Sequence, residues 1–162
     1  MENVKNIKCI DIGCGMPHQK YSNCIGIDLN SNYDPDILHN CDEGLPFDDD
    51  SISFINSDNS LEHFKNPYFV LSECYRVLIN GGEMRLIVPN CQWLPLIFVN
   101  LFLDLDWVWH QWMNSPFKRG RGVHWSFYTK FLITKILQDV GFKIKHRKGF
   151  LYSKEITIIA GK

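Results

Sequence analysis

The segment Cys9-Ile10-Asp11-Ile12-Gly13-Cys14-Gly15 is followed, thirteen residues after Gly15, by Asp28 within Ile25-Gly26-Ile27-Asp28-Leu29. No other part of the chain restricts the fold as strongly. An apolar strand that runs into a glycine turn brings backbone NH groups close to a ligand without a Cβ in the way. A second strand ending in an acid can hold a ribose at the same edge of a sheet. The pattern is that of a nucleoside-cofactor site, and its spacing selects among cofactors. A dinucleotide fingerprint needs a third glycine three residues after Gly15, and that position is His18. Hydride chemistry with a nicotinamide is therefore disfavoured.

The remainder of the chain reads as alternating strands and helices. Residues 7–12, 24–29 and 51–56 are short apolar runs bounded by turn formers, as in strands buried in a parallel sheet, and 37–39 is a stunted strand between them. Pro67 opens a helix in which Val70, Leu71, Cys74, Val77 and Leu78 recur at three- and four-residue steps until Asn80-Gly81-Gly82. A fifth strand spans 84–88. A helix with Phe131, Leu132, Ile136, Leu137 and Val140 is stopped by Gly141, and strands at 142–146 and 155–160 follow. The expected fold class is α/β, a Rossmann-like open and mostly parallel sheet of about seven strands.

The first crossover is abbreviated. Only Met16 to Ser22 separates Gly15 from Asn23, too few residues for the ten or more of a crossover helix. The first helix is expected to shrink to a turn. The neighbouring sheet face then needs a loop, another segment or a second subunit over it, which admits a homodimer.

At 162 residues the chain is expected to form one domain, 1–162. With 17 basic and 18 acidic residues it carries no net field to attract nucleic acid or an anionic membrane, so a nucleic-acid partner is disfavoured. The six cysteines contain no Cys-x-x-Cys pair and lack zinc-ligand spacing to a histidine, so reduced thiols in a cytoplasmic protein are expected. The first residues lack an apolar signal core, and no run reaches the length of a membrane span.

Asp11-x-Gly13-x-Gly15 with Asp28 resembles the first two motifs of the class I S-adenosylmethionine (SAM) dependent methyltransferases. The resemblance extends in order along nearly the whole chain. Leu45-Pro46-Phe47-Asp48-Asp49-Asp50-Ser51-Ile52 is similar to the family's LPF-x-D-x-S stretch, with Ser53 where an Asp is usual. Ser60-Leu61-Glu62-His63 is similar to its LEH turn, and Glu73 to Gly82 to its E-x-x-RVLKPGG helix end. Val88-Pro89-Asn90, His124-Trp125-Ser126-Phe127-Tyr128-Thr129 and Leu137 to Phe142 resemble its later elements. The short first helix, with Asp34 to His39 before LPF, resembles short methyltransferases of surface-glycan clusters.

The resemblance implies SAM as cofactor, with its site on Asp11, Gly13, Cys14, Gly15, Asp28 and Leu29. Asp28 is expected to accept from both ribose hydroxyls. Gly13 and Gly15 form the turn beneath the methionine and ribose, and Asp11 either orients that turn or meets the cofactor's amino group. The family's adenine-binding acid falls at Asn40, Cys41 or Asp42, and Ser57 and Asp58 line the other side. A hydroxyl acceptor would need a general base, for which His63 and His124 are the candidates; His63 can equally hold local backbone at a helix start. A related Glu-x-x-Glu-His element binds a divalent cation in some quinone-pathway relatives. Here Asn59 replaces one carboxylate beside Glu62 and His63, and no metal is expected.

All five tryptophans lie between the fifth strand and the last helix. The aromatic-rich insertion 91–128 matches the position of the family's substrate cover. Core or dimer packing, an apolar or sugar-stacking pocket, and docking on a membrane surface are all open to it. Lys118, Arg119 and Arg121, and Lys143, Lys145, Arg147 and Lys148, are either phosphate-binding groups or solvated charge. The expected function is direct transfer of the SAM methyl group to a small metabolite, lipid-linked or saccharide acceptor. The alternative is a noncatalytic protein of this fold that acts through partner contacts.

Overall fold

A computed structural model describes residues 8–92, 125–149 and 153–162. The elements are β1 (Cys9–Ile12), β2 (Ile25–Asp28), β3 (Ile37–Leu38), β4 (Ile52–Asp58), α1 (Pro67–Val77), β5 (Leu78–Pro89), α2 (Lys130–Val140), β6 (Lys143–Lys148) and β7 (Glu155–Gly161). The strands form one sheet in the order β3-β2-β1-β4-β5-β7-β6. Pairing is parallel from β3 to β5, and β7 runs antiparallel to both β5 and β6. The Rossmann-like sheet read from the strand and helix pattern is the one the chain adopts.

Register explains which residues enter the core. Ile10, Ile55, Met84 and Ala160 are partnered across four strands, and all are buried. Their neighbours one residue on point the other way, because side chains alternate along a strand. That second row is polar: Asp11, Asn56 and Arg85 lie opposite one another on β1, β4 and β5. Asn56 Nδ2 donates to Asp11 Oδ1 at 2.6 Å, and Arg85 donates to Asn56 Oδ1 at 2.6 Å. The helices α1 and α2 touch each other and bury Val70, Leu71, Cys74, Val77, Ile133 and Leu137 in the core.

No helix joins β1 to β2. The loop supplies the missing cover itself. Tyr21 NH donates to Asp11 Oδ2 at 2.7 Å, which draws its ring onto Phe54 at 5.7 Å between centroids and beneath the Arg85 guanidinium at 5.3 Å. One aromatic ring thus lies over the polar row, and the cation above it adds attraction to the ring face.

Two expectations are corrected. Cys9 and Cys24 form a disulfide, with Cα atoms 4.6 Å apart, rather than two reduced thiols. The β1–β2 register places them side by side, a proximity that their separation of fifteen residues does not reveal. Leu78 belongs to β5 rather than to the preceding helix. It is extended, at φ −66° and ψ 135°, and pairs with Ile52, so the sheet claims it directly after Val77. Most of the aromatic insertion, 93–124, and His124 with it, lies outside the described residues. Among the described residues no helix is long and apolar enough to cross a membrane.

Arg76 joins α1 to the stretch that begins Leu45-Pro46-Phe47. Its guanidinium donates to the carbonyls of Leu45 (3.0 Å) and Phe47 (2.9 Å), to Asp49 (2.6 Å) and to both Glu73 oxygens (2.7 Å each). Glu73 Oε2 in turn accepts from Leu45 NH at 2.9 Å. The Glu-x-x-Arg spacing places both side chains on one face of the helix, where they grip the backbone of the loop before β4. Lysine has no planar fork with which to replace this arrangement. Arg76→Lys is expected to lower stability by about 1–3 kcal/mol in urea denaturation, through carbonyls left without their charged donor.

Candidate functional site

The carboxyl ends of β1 and β2 meet in the glycine turn. Gly13 and Gly15 have φ of 64° and 63°, in the left-handed region that side chains disfavour. Gly13 NH and Cys14 NH both donate to Ile27 O, at 2.8 and 3.2 Å. From the other side Ser60, just past β4, donates its hydroxyl to Ile12 O at 2.9 Å, and a Cβ placed on Gly13 would collide with Ser60 Cβ. The turn is therefore held between β2 and the exit of β4. Gly15 NH donates to Asp28 Oδ2 at 3.0 Å, and Asn30 NH to Asp28 Oδ1 at 2.9 Å. Asp28 and the glycines, thirteen residues apart in sequence, form one unit.

Other predicted site residues cluster around this unit or are drawn elsewhere. Cys14 and Cys41 are buried, and burial followed by the Asp28 charge pushes both thiols up to about 12. They behave as small apolar walls. Leu29 stands 68 % exposed beside Asp28. Asn40 caps the turn Cys41–Glu43 through Asp42 NH, and Asp42 accepts from Lys65 NH and Asn66 NH at the entry to α1. Asp11 is spent on Tyr21 and Asn56; burial raises its carboxyl above the usual range, and the two hydrogen bonds oppose that rise. Its contacts place it under the loop as an orienting group. Ser57 is buried and bonded to Ser60 at 2.8 Å, while Asp58 pairs with Arg85 at 3.3 Å. No group of three or more His, Cys, Asp or Glu placed to hold a metal ion occurs among the described residues.

Ser60 was not a sequence candidate, because nothing in its neighbourhood announces a contact with a turn forty-seven residues earlier. Glu62 was read as part of the LEH turn and of an element whose first carboxylate is replaced by Asn59, and the structure gives it a distinct character. The turn Leu61–His63 buries the carboxyl to 2 % exposure, and among the described residues Oε2 has no hydrogen-bond partner. Burial pushes the carboxyl up to about 7, opposed by its own backbone NH and reinforced by Asp58 and Glu155. His63 Nε2 lies 4.0 Å from Glu62 Oε1. The Glu62 carbonyl accepts from Trp125 NH and Ser126 NH at 2.7 and 3.3 Å, which lays the segment before α2 against the turn.

This buried acid gives stability a pH dependence of known sign. The unfolded chain ionises Glu62 near 4.5 and the native chain near 7, so the native state holds the proton longer and stability falls as pH rises between those values. The fall amounts to about 3 kcal/mol at most. Glu62→Gln is expected to abolish it: urea midpoints of wild type and variant should agree at about pH 4 and separate by about pH 8, with the variant more stable. Gly13→Ala, which combines the strained φ with the Ser60 collision, is expected to cost about 2 kcal/mol or more in the same assay.

The methyltransferase domain family matches residues 10–86, from β1 into β5. No curated protein matches the chain by sequence. Solved structures share its fold. A SAM-dependent methyltransferase of Thermotoga maritima, described as a possible histamine N-methyltransferase, superimposes with a TM-score of 0.72 at 17 % identity, covering 96 % of this chain and 82 % of that one. Similar figures hold for SAM-dependent methyltransferases of Mesorhizobium loti (0.69, 17 %, covering 100 % and 94 %) and Methanosarcina mazei (0.68, 21 %, covering 98 % and 93 %). The glycine turn and its acid lie inside the matched region, and the chain has the fold of these SAM-dependent methyltransferases.

Proposed function

We propose that the chain methylates a small acceptor, a small metabolite, a lipid-linked intermediate or a saccharide, with the cofactor seated on the Asp28 and glycine-turn unit. The observation that carries the placement is the state of Asp28. Among the described residues each of its oxygens accepts one amide hydrogen, from Gly15 and from Asn30, which leaves acceptor capacity on both for the two hydroxyls of a ribose. This donor and acceptor set fits the nucleoside of SAM. Leu29, exposed next to it, suits the face of an adenine, and Cys41 is near enough to feel the Asp28 charge.

SAM supplies a methyl carbon that already carries a good leaving group, a sulfonium. The chain then has three tasks: to hold the cofactor, to align an acceptor, and to receive a proton where the acceptor releases one. Alignment alone can supply about 7 kcal/mol or more in well-oriented systems. His63, in the turn after β4, and His124 are the candidate proton acceptors. The segment 91–128 would cover the acceptor within a single domain.

Isothermal titration tests the placement. S-adenosylhomocysteine, the demethylated cofactor, is expected to bind wild type, and Asp28→Ala to weaken that binding by about 1.5–3 kcal/mol, the value of a lost charged hydrogen bond. An unchanged affinity would remove Asp28 from the site.

A further inference from the structure

Among the described residues, two buried polar side-chain atoms lack hydrogen-bond partners: Glu62 Oε2 and the Tyr128 hydroxyl. Both residues are almost fully buried, at 2 % exposure each. Leaving one such group unpaired costs about 1–3 kcal/mol, and more when it is charged; the Glu62 charge acts on the Tyr128 phenol, so the two groups point to one ligand that completes them. Their surroundings are connected. The Glu62 carbonyl holds the backbone of Trp125 and Ser126, Tyr128 is bridged to Asn90 at the end of β5, and Cys91 NH donates to Tyr128 O at 3.2 Å. Glu62 lies two residues from Ser60, the residue that abuts the glycine turn. Trp125 is 58 % exposed, so this wall of the site borders solvent.

The two charges that raise Glu62 are both negative. Asp58 at the end of β4 and Glu155 at the start of β7 both act on Glu62, and Glu62 in turn raises Tyr128, whose phenol burial pushes up to about 12. The Ser126 side chain lies close enough to moderate that rise without making a bond of good geometry to the phenol. Arg85 is engaged with Asn56 and Asp58, and Asn59 spans Asp58 and Glu155. Among the described residues the one cation-forming side chain paired with Glu62 is His63, at 4.0 Å.

We propose that Glu62 Oε2 and the Tyr128 hydroxyl form the acceptor subsite, that its ligand is a protonated amine, and that Glu62 takes the proton which frees the nitrogen lone pair. This rests on the methyltransferase reading above. An ammonium group donates hydrogen bonds to both orphan oxygens and brings a positive charge that offsets the action of Asp58 and Glu155 on Glu62, whereas an alcohol brings no charge. One N–H proton passes to Glu62 Oε2. The freed lone pair forms the nitrogen–carbon bond to the methyl group while the carbon–sulfur bond breaks, its electron pair remaining on sulfur. The methylated ammonium leaves, and the Glu62 carboxyl returns its proton to water. A carboxyl that ionises near 7 is suited to both halves of this exchange.

The test uses the intact protein, with butylamine and phenethylamine as probes and 1-butanol and phenethyl alcohol as matched neutral controls. S-adenosylhomocysteine is titrated first, so that failure of the cofactor reading is seen separately. The amines are then added while the Glu62 side-chain carboxyl resonance is followed by carbon-detected NMR, assigned with Glu62→Gln. The expected result is that amines, and not alcohols, shift the resonance and lower the pH at which it titrates. Amine affinity should rise as pH increases through neutrality. Glu62→Gln should weaken amine binding about tenfold or more with S-adenosylhomocysteine affinity unchanged, and Tyr128→Phe should weaken it while Glu62 still titrates. Alcohols acting as well as amines would overturn the proposal. So would amines binding Glu62→Gln as tightly as wild type, or no amine shifting the wild-type resonance at tens of millimolar. Amine binding without S-adenosylhomocysteine binding would leave the subsite standing and remove the cofactor reading instead.

Discussion

Gly13 and Ser60 approach so closely that no side chain fits between them, and the carboxyl edge of the sheet is organised around that contact. Ser60 reaches across from the exit of β4 to the last carbonyl of β1, while the next two amides of the turn are taken by β2. Three strands thereby fix one loop. The positive φ of Gly15 then directs its amide at Asp28, so the acid and the turn are positioned by each other. A turn pinned on both sides holds Asp28 in place without reorganisation when a ligand arrives, which is the condition under which such a group binds strongly.

The polar row on the opposite face solves a different problem. A chain without a first crossover helix leaves β1, β4 and β5 open on one side, and the sequence places Asp11, Asn56 and Arg85 there rather than three apolar residues. Their mutual hydrogen bonds satisfy the groups that burial would otherwise leave wanting, and Tyr21 closes the row with one ring. Burial and hydrogen bonding act on Asp11 in opposite directions, and the net rise in its pKa shows that burial is the larger effect.

Much of this was legible in the sequence because it depends on local pattern. The apolar runs marked the strands, Gly13 and Gly15 marked the turn, and Asp28 stood out as the acid that ends the second apolar run. What could not be read depends on register. Cys9 and Cys24 meet because β1 and β2 are parallel neighbours, Ser60 matters because β4 is inserted beside β1, and Leu78 leaves the helical repeat because Ile52 lies opposite it. Glu62 is the most telling case. As a letter in a short motif it is one more acid, and only its burial with an oxygen facing no partner distinguishes it from the exposed acids around it. Asp42 shows the converse: sequence position makes it an adenine candidate, while its oxygens take the amides at the start of α1.

The two ends of the sheet differ in how they finish. At one end β3 is only two residues long, too short to template another strand. At the other, β6 runs Lys-Ile-Lys-His-Arg-Lys with nearly every side chain exposed. A second copy approaching that edge would set its row of cations against this one, and like charges directly across a strand pair repel. Neither end invites continuation by its own kind. Among the described residues the sheet is thus guarded against fibrous growth by length at one side and by charge at the other.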